Sequence, residues 1–274
     1  MGLAKFNPDP SSVCLILFSY QPTTDTPLVV TANRDEFYAR PAAAAHYWPD
    51  LPHIFAGRDL SAQGTWLGVS KAGRFAAVTN FSAGDPPKDY PASRGELVAG
   101  FLSSQLSAAD YVRSLAAPDY AGYNLLLFDG EQLLYTTNKD FPDQFLAPGC
   151  YGLSNAELGA NWPKCIDGTS RLLEANPVHA NLDQLLEILA DQTPPSDDRI
   201  PDRSHLAGAP IEERRRLAAR FIASDEYGTR ATTVVRISKT TIDVCEQSFE
   251  RQGKPGSAVF ARMKRDKERH PAPS

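Results

Sequence analysis

The sequence predicts an α+β fold on mainly antiparallel sheets, and three observations carry that prediction. Apolar runs of strand length come in adjacent pairs: Cys14 to Phe18 with Leu28 to Ala32, Tyr123 to Phe128 with Gln132 to Thr137, and Ala231 to Ser238 with Thr241 to Phe249. Helical periodicity falls in other stretches, chiefly Arg94 to Ser103 and Trp162 to about Ala175. No low-complexity linker divides the 274 residues, so one domain is expected over residues 14–250. Residues 1–13 have no periodicity and read as a disordered extension or a mis-assigned start; residues 251–274 read as a flexible tail.

Taken in order, the first two runs flank Gln-Pro-Thr-Thr-Asp-Thr-Pro, a breaker cluster suited to a hairpin loop. Antiparallel pairing sets the start of one strand beside the end of the next. Cys14 is therefore expected beside Asn33-Arg34-Asp35-Glu36, read as a charged corner closing the second strand. Residues 37–52, with His46, Tyr47 and Trp48, read as a loop over a sheet edge or a pocket wall. Phe55 to Arg58, Thr65 to Ser70 and Phe75 to Phe81 read as strands, and the last delivers Asn80. The helix from Arg94 carries Leu97, Val98, Phe101 and Leu102 on one face, and Ser107 with Asp110 caps a second, short one. Asp129-Gly130 between two alternating runs suits a type I′ hairpin turn. Pro148 to Asn155 is a short strand ending Gly-Leu-Ser-Asn, Asn181 caps a helix through Leu189, and residues 193–210 form a long irregular segment.

Composition narrows the function classes. A hydrophobic share of 42% with 22% charged residues is that of a globular chain with a full core. The net charge of −5 argues against a nucleic-acid partner. No apolar run approaches the roughly 18 residues of a membrane span, and no basic-then-apolar leader opens the chain, so a cytoplasmic protein is expected. Cysteines at 14, 150, 165 and 245 form no CxxC pair and have no histidines at ligand spacing, so no zinc site is expected.

Six short blocks occur collinearly: Asn33 to Glu36, Gly64-Thr65-Trp66-Leu67-Gly68, Val78 to Phe81, Arg94 to Leu97, Tyr151 to Asn155 and Tyr227-Gly228-Thr229-Arg230. By these the chain is identified as a member of the NRDE family, that of transport and Golgi organisation protein 2. The family in turn resembles the cysteine N-terminal-nucleophile hydrolases, which implies a four-layer αββα sandwich. It also implies a catalytic set: Cys14 as nucleophile, Arg34 and Asp35 positioning it, Asn80 and Asn155 holding an oxyanion, and Arg230 tuning the thiol. Asp35 is open to a second reading, in which it only braces Arg34 while Glu36 faces solvent.

The resemblance carries one discrepancy. Family chains usually begin Met-Cys, and this chemistry needs the free α-amino group of Cys14 as the base that takes the thiol proton. An internal Cys14 has an amide there. Removal of residues 1–13 restores the amine, as does translation from a GTG codon at Val13, which gives Met-Cys-Leu-Ile without a protease. The resemblance implies hydrolysis of a non-peptide amide or a thioester. Its alternative is non-catalytic binding and trafficking of haem or of a small apolar acid, lipid or acyl-CoA, haem then being a carried ligand and not a cofactor.

Overall fold

A computed structural model describes residues 14–81, 89–200 and 210–266. The expected disorder of residues 1–13 and, of the 193–210 segment, residues 201–209 lie outside the described residues.

The chain first lays down β1 (Leu15–Tyr20) and β2 (Leu28–Phe37) as an antiparallel pair, in register Leu15 to Asn33 through Tyr20 to Leu28. A meander of β3 (Ala42–Tyr47), β4 (Ile54–Asp59), β5 (Leu67–Ser70) and β6 (Phe75–Asn80) follows. Helix α1 (Arg94–Ser103) opens on a capping box, with the Ser93 side chain accepting from the backbone and Glu96 returning to the Ser93 amide. α2 (Ala108–Ser114) is capped by Ser107. Next come β7 (Tyr123–Phe128), β8 (Leu133–Thr137), the two-residue β9 (Gln144–Phe145) and β10 (Gly149–Leu153). Three helices, α3 (Pro163–Glu174), α4 (Leu182–Glu187) and α5 (Ile211–Ala218), precede β11 (Tyr227–Ile237), β12 (Thr241–Phe249) and β13 (Pro255–Lys264).

The strands form two antiparallel sheets, ordered β10-β1-β2-β11-β12-β13 and β3-β4-β5-β6-β7-β8-β9. Apolar residues facing inward from both, among them Phe18, Val30, Val69, Leu126 and Val235, make one core between the sheets. Each sheet has a second apolar face. Leu15, Leu17, Val29 and Val234 pack under α3 and α4, while Ile54, Val78, Leu125 and Leu127 pack under α1 and α2. Both faces of each sheet are thus covered, which is the αββα sandwich.

Four local expectations are corrected. Asn33 to Glu36 is not a corner: β2 runs on to Phe37 because β11 pairs with it along that length and because Asn33 is satisfied inside the sheet. Its amide donates to the carbonyls of Leu189 and Arg220, and its carbonyl oxygen accepts from Thr232 Oγ1. The loop expected over 37–52 contains edge strand β3, which pairs with β4, and Trp48 is buried beneath the Arg58 guanidinium. The β7–β8 turn is not type I′. That type needs positive φ at two successive residues, whereas here only Gly130 has it (φ 105°) and the Asp129 carboxylate accepts from the amides of Glu131 and Gln132. The expected tail contains β13, fixed by Met263 in the inter-sheet core and by Arg262 on Asp243 at 2.6 Å. An edge strand exposed on one face shows a weak apolar pattern, which is why it passes for a tail.

Candidate functional site

β2 is the axis of the site, and the two-residue period of a strand decides its chemistry. Leu28, Val30 and Ala32 face the inter-sheet core, so Arg34 and Glu36 follow on that face. Val29 faces the helix layer, so Asn33 and Asp35 follow on the other. Arg34 and Asp35, adjacent in sequence, thus stand on opposite faces of the sheet.

On the inter-sheet face a cavity of about 160 Å³ is lined by Cys14, Arg34, Glu36, Asp59, Trp66 and Asn80 among others. The Arg34 guanidinium stacks over the Trp66 ring with its carbon 4.3 Å from the centroid, and its Nη2 lies 3.7 Å from Glu36 and 3.6 Å from Asp59. Arg40 closes the group at 2.6 Å from Asp59. A stacked guanidinium held by two carboxylates is fixed in orientation at the mouth of the cavity.

Cys14 leads into β1 with its thiol directed at the Asp35 carbonyl oxygen, 3.9 Å away, and its own carbonyl accepts from Ser154 Oγ at 2.7 Å. Burial pushes this thiol up to about 11, and the Asp35 carboxylate adds to the rise while Arg34 opposes it. With residues 1–13 attached, then, it is a protonated thiol at neutral pH.

On the helix face, Asp35 is pushed up to about 6 by burial, against the pull of Lys164, a hydrogen bond from Thr229 and the charge of Arg34. Thr229 Oγ1 donates to Asp35 Oδ1 at 2.6 Å. The other oxygen, Oδ2, is buried without a hydrogen-bond partner among the described residues, as is the hydroxyl of Tyr227. Lys164, in the first turn of α3, is fully buried, and burial lowers its pKa. The back of the nucleophile is therefore made of buried polar groups, of which Asp35 also lines the cavity.

The description "Transport and Golgi organisation 2" belongs to the family model that matches residues 13–251. The chain belongs to this family. Its relatives include the transport and Golgi organization protein 2 homologs of Bos taurus, 36% identical over 248 residues, and of Homo sapiens, 33% identical over 246. In both cases the match covers 82% of this chain and 88% of the relative. A solved structure similar to it is the Caenorhabditis elegans N-acylethanolamine-hydrolyzing acid amidase ortholog, at 9% identity, TM-score 0.49, and coverage of 81% of this chain and 92% of that one. No helix among the described residues is long and apolar enough to cross a membrane.

Of the six residues that the family resemblance points to, the structure gathers Cys14, Arg34, Asp35 and Asn80 around one cavity. Asn155 lies beside them but its amide is engaged: Nδ2 donates to the Asn80 carbonyl at 2.9 Å and its carbonyl oxygen accepts from Ser154. It ties the end of β6 to the end of β10 and so holds Asn80 in place, a bond that uses one of the two N–H donors of its amide. Arg230 lies beyond the Arg34–Trp66 stack in a separate cavity of about 280 Å³. Its Nη1 donates to the carbonyls of Phe37, Tyr38 and Arg40, because the register shift between Thr229 and Ala231 turns it toward that loop. It fixes the loop after β2; the thiol is outside its contacts. The second reading of Asp35 also falls, since Arg34 is held by Glu36 and Asp59, and Glu36 faces the cavity.

Sequence reasoning missed Lys164, Asp59, Trp66 and Tyr227. Trp66 and Tyr227 stand inside collinear family blocks, a signal that marks them without a role. Lys164 had a subtler one. It shares the buried face of α3 with Cys165, Gly168 and Leu172, and a lysine on the apolar face of an amphipathic helix is rarely there without a partner.

Proposed function

We propose that this protein is a cysteine amidohydrolase or acyl hydrolase acting on a non-peptide amide or a thioester, with Cys14 as nucleophile once it is the first residue. One observation carries the reading: behind Cys14, Asp35 Oδ2 and the Tyr227 hydroxyl are both buried without hydrogen-bond partners among the described residues. Buried polar groups are almost always satisfied. A free Cys14 α-amino group, placed where the chain now continues to Val13, supplies a donor for these groups and a base for the thiol. The amine takes the thiol proton, the thiolate attacks the carbonyl, and Asn80 with Arg34 faces the developing oxyanion. The amine then protonates the leaving group, and water releases the acyl product. Asp35 orients the amine, and a cytoplasmic setting keeps the thiol reduced.

The alternative, non-catalytic carriage of haem, a lipid or an acyl-CoA, is favoured by the state of the thiol in the longer chain. Raised from its ordinary 9.0 to about 11, it is a poor nucleophile, and the cavity can then only bind. The two readings part on the N-terminus. At pH 7 the chain that retains residues 1–13 is expected to react with iodoacetamide at Cys14 about 100-fold more slowly than an unhindered cysteine, from the two-unit rise. A chain beginning at Cys14 is expected to react faster than the longer one and to cleave acyl amides or thioesters, with Cys14→Ala inactive. Intact mass of the protein from its native gene that retains residues 1–13, with no turnover by either form, refutes the hydrolase.

A further inference from the structure

We propose that the cavity beyond the Arg34–Trp66 stack is a second binding site, a seat for the carboxylate of an organic acid, held by the guanidinium groups of Arg34 and Arg230. The seat is separate from the chemistry at Cys14, and a bound acid is a ligand under either functional reading.

The pairing of β2 with β11 brings the two arginines together. Arg34 stands opposite Ala231, and the register shift leaves Arg230 as the extra residue of the bulge beside it. Both line one cavity of about 280 Å³, with Trp66, Ala43, Ala231 and Phe249 among its apolar lining. Each guanidinium is fixed. Arg34 lies over Trp66 with Nη2 near Glu36 and Asp59, while Arg230 lies over the Tyr38 ring, its carbon 5.4 Å from the centroid, with Nη1 on the carbonyls of Phe37, Tyr38 and Arg40. Each also carries a nitrogen that is buried without a hydrogen-bond partner among the described residues, Nη1 of Arg34 and Nε of Arg230. Buried donors are rarely left so, and buried charges are normally paired. An anion seated in the cavity supplies the acceptor that both lack.

The charge balance points to a single negative charge. Arg34 is answered by Glu36 and Asp59. The acceptors that hold Arg230 are neutral carbonyls, and no ion pair reaches it among the described residues. Burial and the like charge of Arg34 lower its pKa, yet an arginine keeps its proton at neutral pH. The carboxylates that line the cavity are engaged elsewhere. Glu246 accepts from the Ala45 amide at 2.6 Å on one oxygen and from Thr233 Oγ1 at 3.0 Å on the other, and Glu250 lies 3.7 Å from Lys254. The spare positive charge is thus that of one guanidinium, whose planar donors match a carboxylate. A phosphate dianion brings twice the charge and finds neither a lysine nor a helix N-terminus among the lining residues. The apolar lining takes the carbon chain of the acid.

The test follows the ¹⁵N–¹H resonances of the full chain as hexanoate is added at constant ionic strength, with hexanamide as the neutral control of the same shape and Arg230→Gln assigning the Arg230 Nε–H signal. That signal is expected to shift saturably with hexanoate and to stay in place with hexanamide. The hexanoate Kd, read on the Ala231 and Gly256 amides, is expected to rise about tenfold or more in Arg230→Gln, as for loss of a charge-assisted hydrogen bond. Ser257 is an exposed residue lining the same cavity, so Ser257→Glu sets a carboxylate of the chain's own at the seat and is expected to weaken hexanoate to a similar degree. It decides the question where Arg230→Gln does not fold. Absence of a saturable shift, an equal response to hexanamide, tighter binding of inorganic phosphate, or a Kd that the deciding substitution leaves unchanged overturns the proposal. Binding is read without turnover, so an absence of hydrolysis counts against the hydrolase alone, and an active hydrolase whose second cavity ignores hexanoate keeps that reading while this one falls.

Discussion

Replacing Asp35 by asparagine should change the pH dependence of stability in a direction opposite to that of most carboxylates. A surface aspartate in an ion pair is held below its ordinary range and loses its contribution as pH falls. Asp35 is pushed from its ordinary 3.8 up to about 6, chiefly by burial. Its folded value lies above its unfolded value, so it favours the folded state while protonated, fully so below about pH 4, and that contribution is lost as pH rises through about 6. At 1.36 kcal/mol for each tenfold change in proton affinity, the rise corresponds to about 3 kcal/mol. The asparagine side chain keeps the shape and does not titrate. The difference in unfolding free energy, Asp35→Asn minus wild type, should therefore grow by about 3 kcal/mol in favour of the variant between pH 3 and pH 7 and be flat above. Taking the difference cancels the titrating groups that do not interact with Asp35. Urea unfolding at half-unit pH steps measures it, provided both proteins unfold in two states with equal m-values. A difference that does not change with pH would refute the reasoning, because it would mean that Asp35 titrates in the folded protein as it does in the unfolded chain.

Two further substitutions test how the family motif is used. Asn33→Ala should destabilise by about 2–4 kcal/mol in thermal or urea unfolding, since it strips the bonds to Leu189, Arg220 and Thr232 inside a dry layer and leaves those polar groups out of reach of water. Arg230→Ala should cost about 2–3 kcal/mol through the three carbonyls that it gathers, while the rate of Cys14 alkylation at fixed pH stays that of the wild type; a fall in that rate would return Arg230 to the thiol.

How much could be read in advance varied with the range of the interaction involved. The β1–β2 and β11–β12 hairpins, the caps at Ser107 and Asn181, and the approach of Cys14 to Arg34 and Asp35 depend on residues close in sequence or joined by one short loop. Apolar period, breaker residues and antiparallel geometry are sufficient for these. The collinear blocks likewise marked β2, the end of β6, the end of β10 and β11 as the elements that carry the candidate site residues.

The tertiary structure alone decided which of the marked residues meet. That β11 pairs with β2 is a choice of sheet order, and it sets Thr229 and Tyr227 beside Asp35 across 194 residues of chain in the first case. The same pairing, with its register shift, turns Arg230 toward the loop after β2. Asn155 carries the right amide at the right strand end, yet the packing of β6 against β10 engages it on Asn80. Lys164 is buried because α3 settles on β1 at glycine distance, Gly168 against Leu17. Sequence thus determined the elements and the chemical inventory, since local sterics and hydrophobic period act over a few residues. Burial, which gives Cys14, Asp35 and Lys164 their altered proton affinities, belongs to no single segment and exists only once the layers have closed.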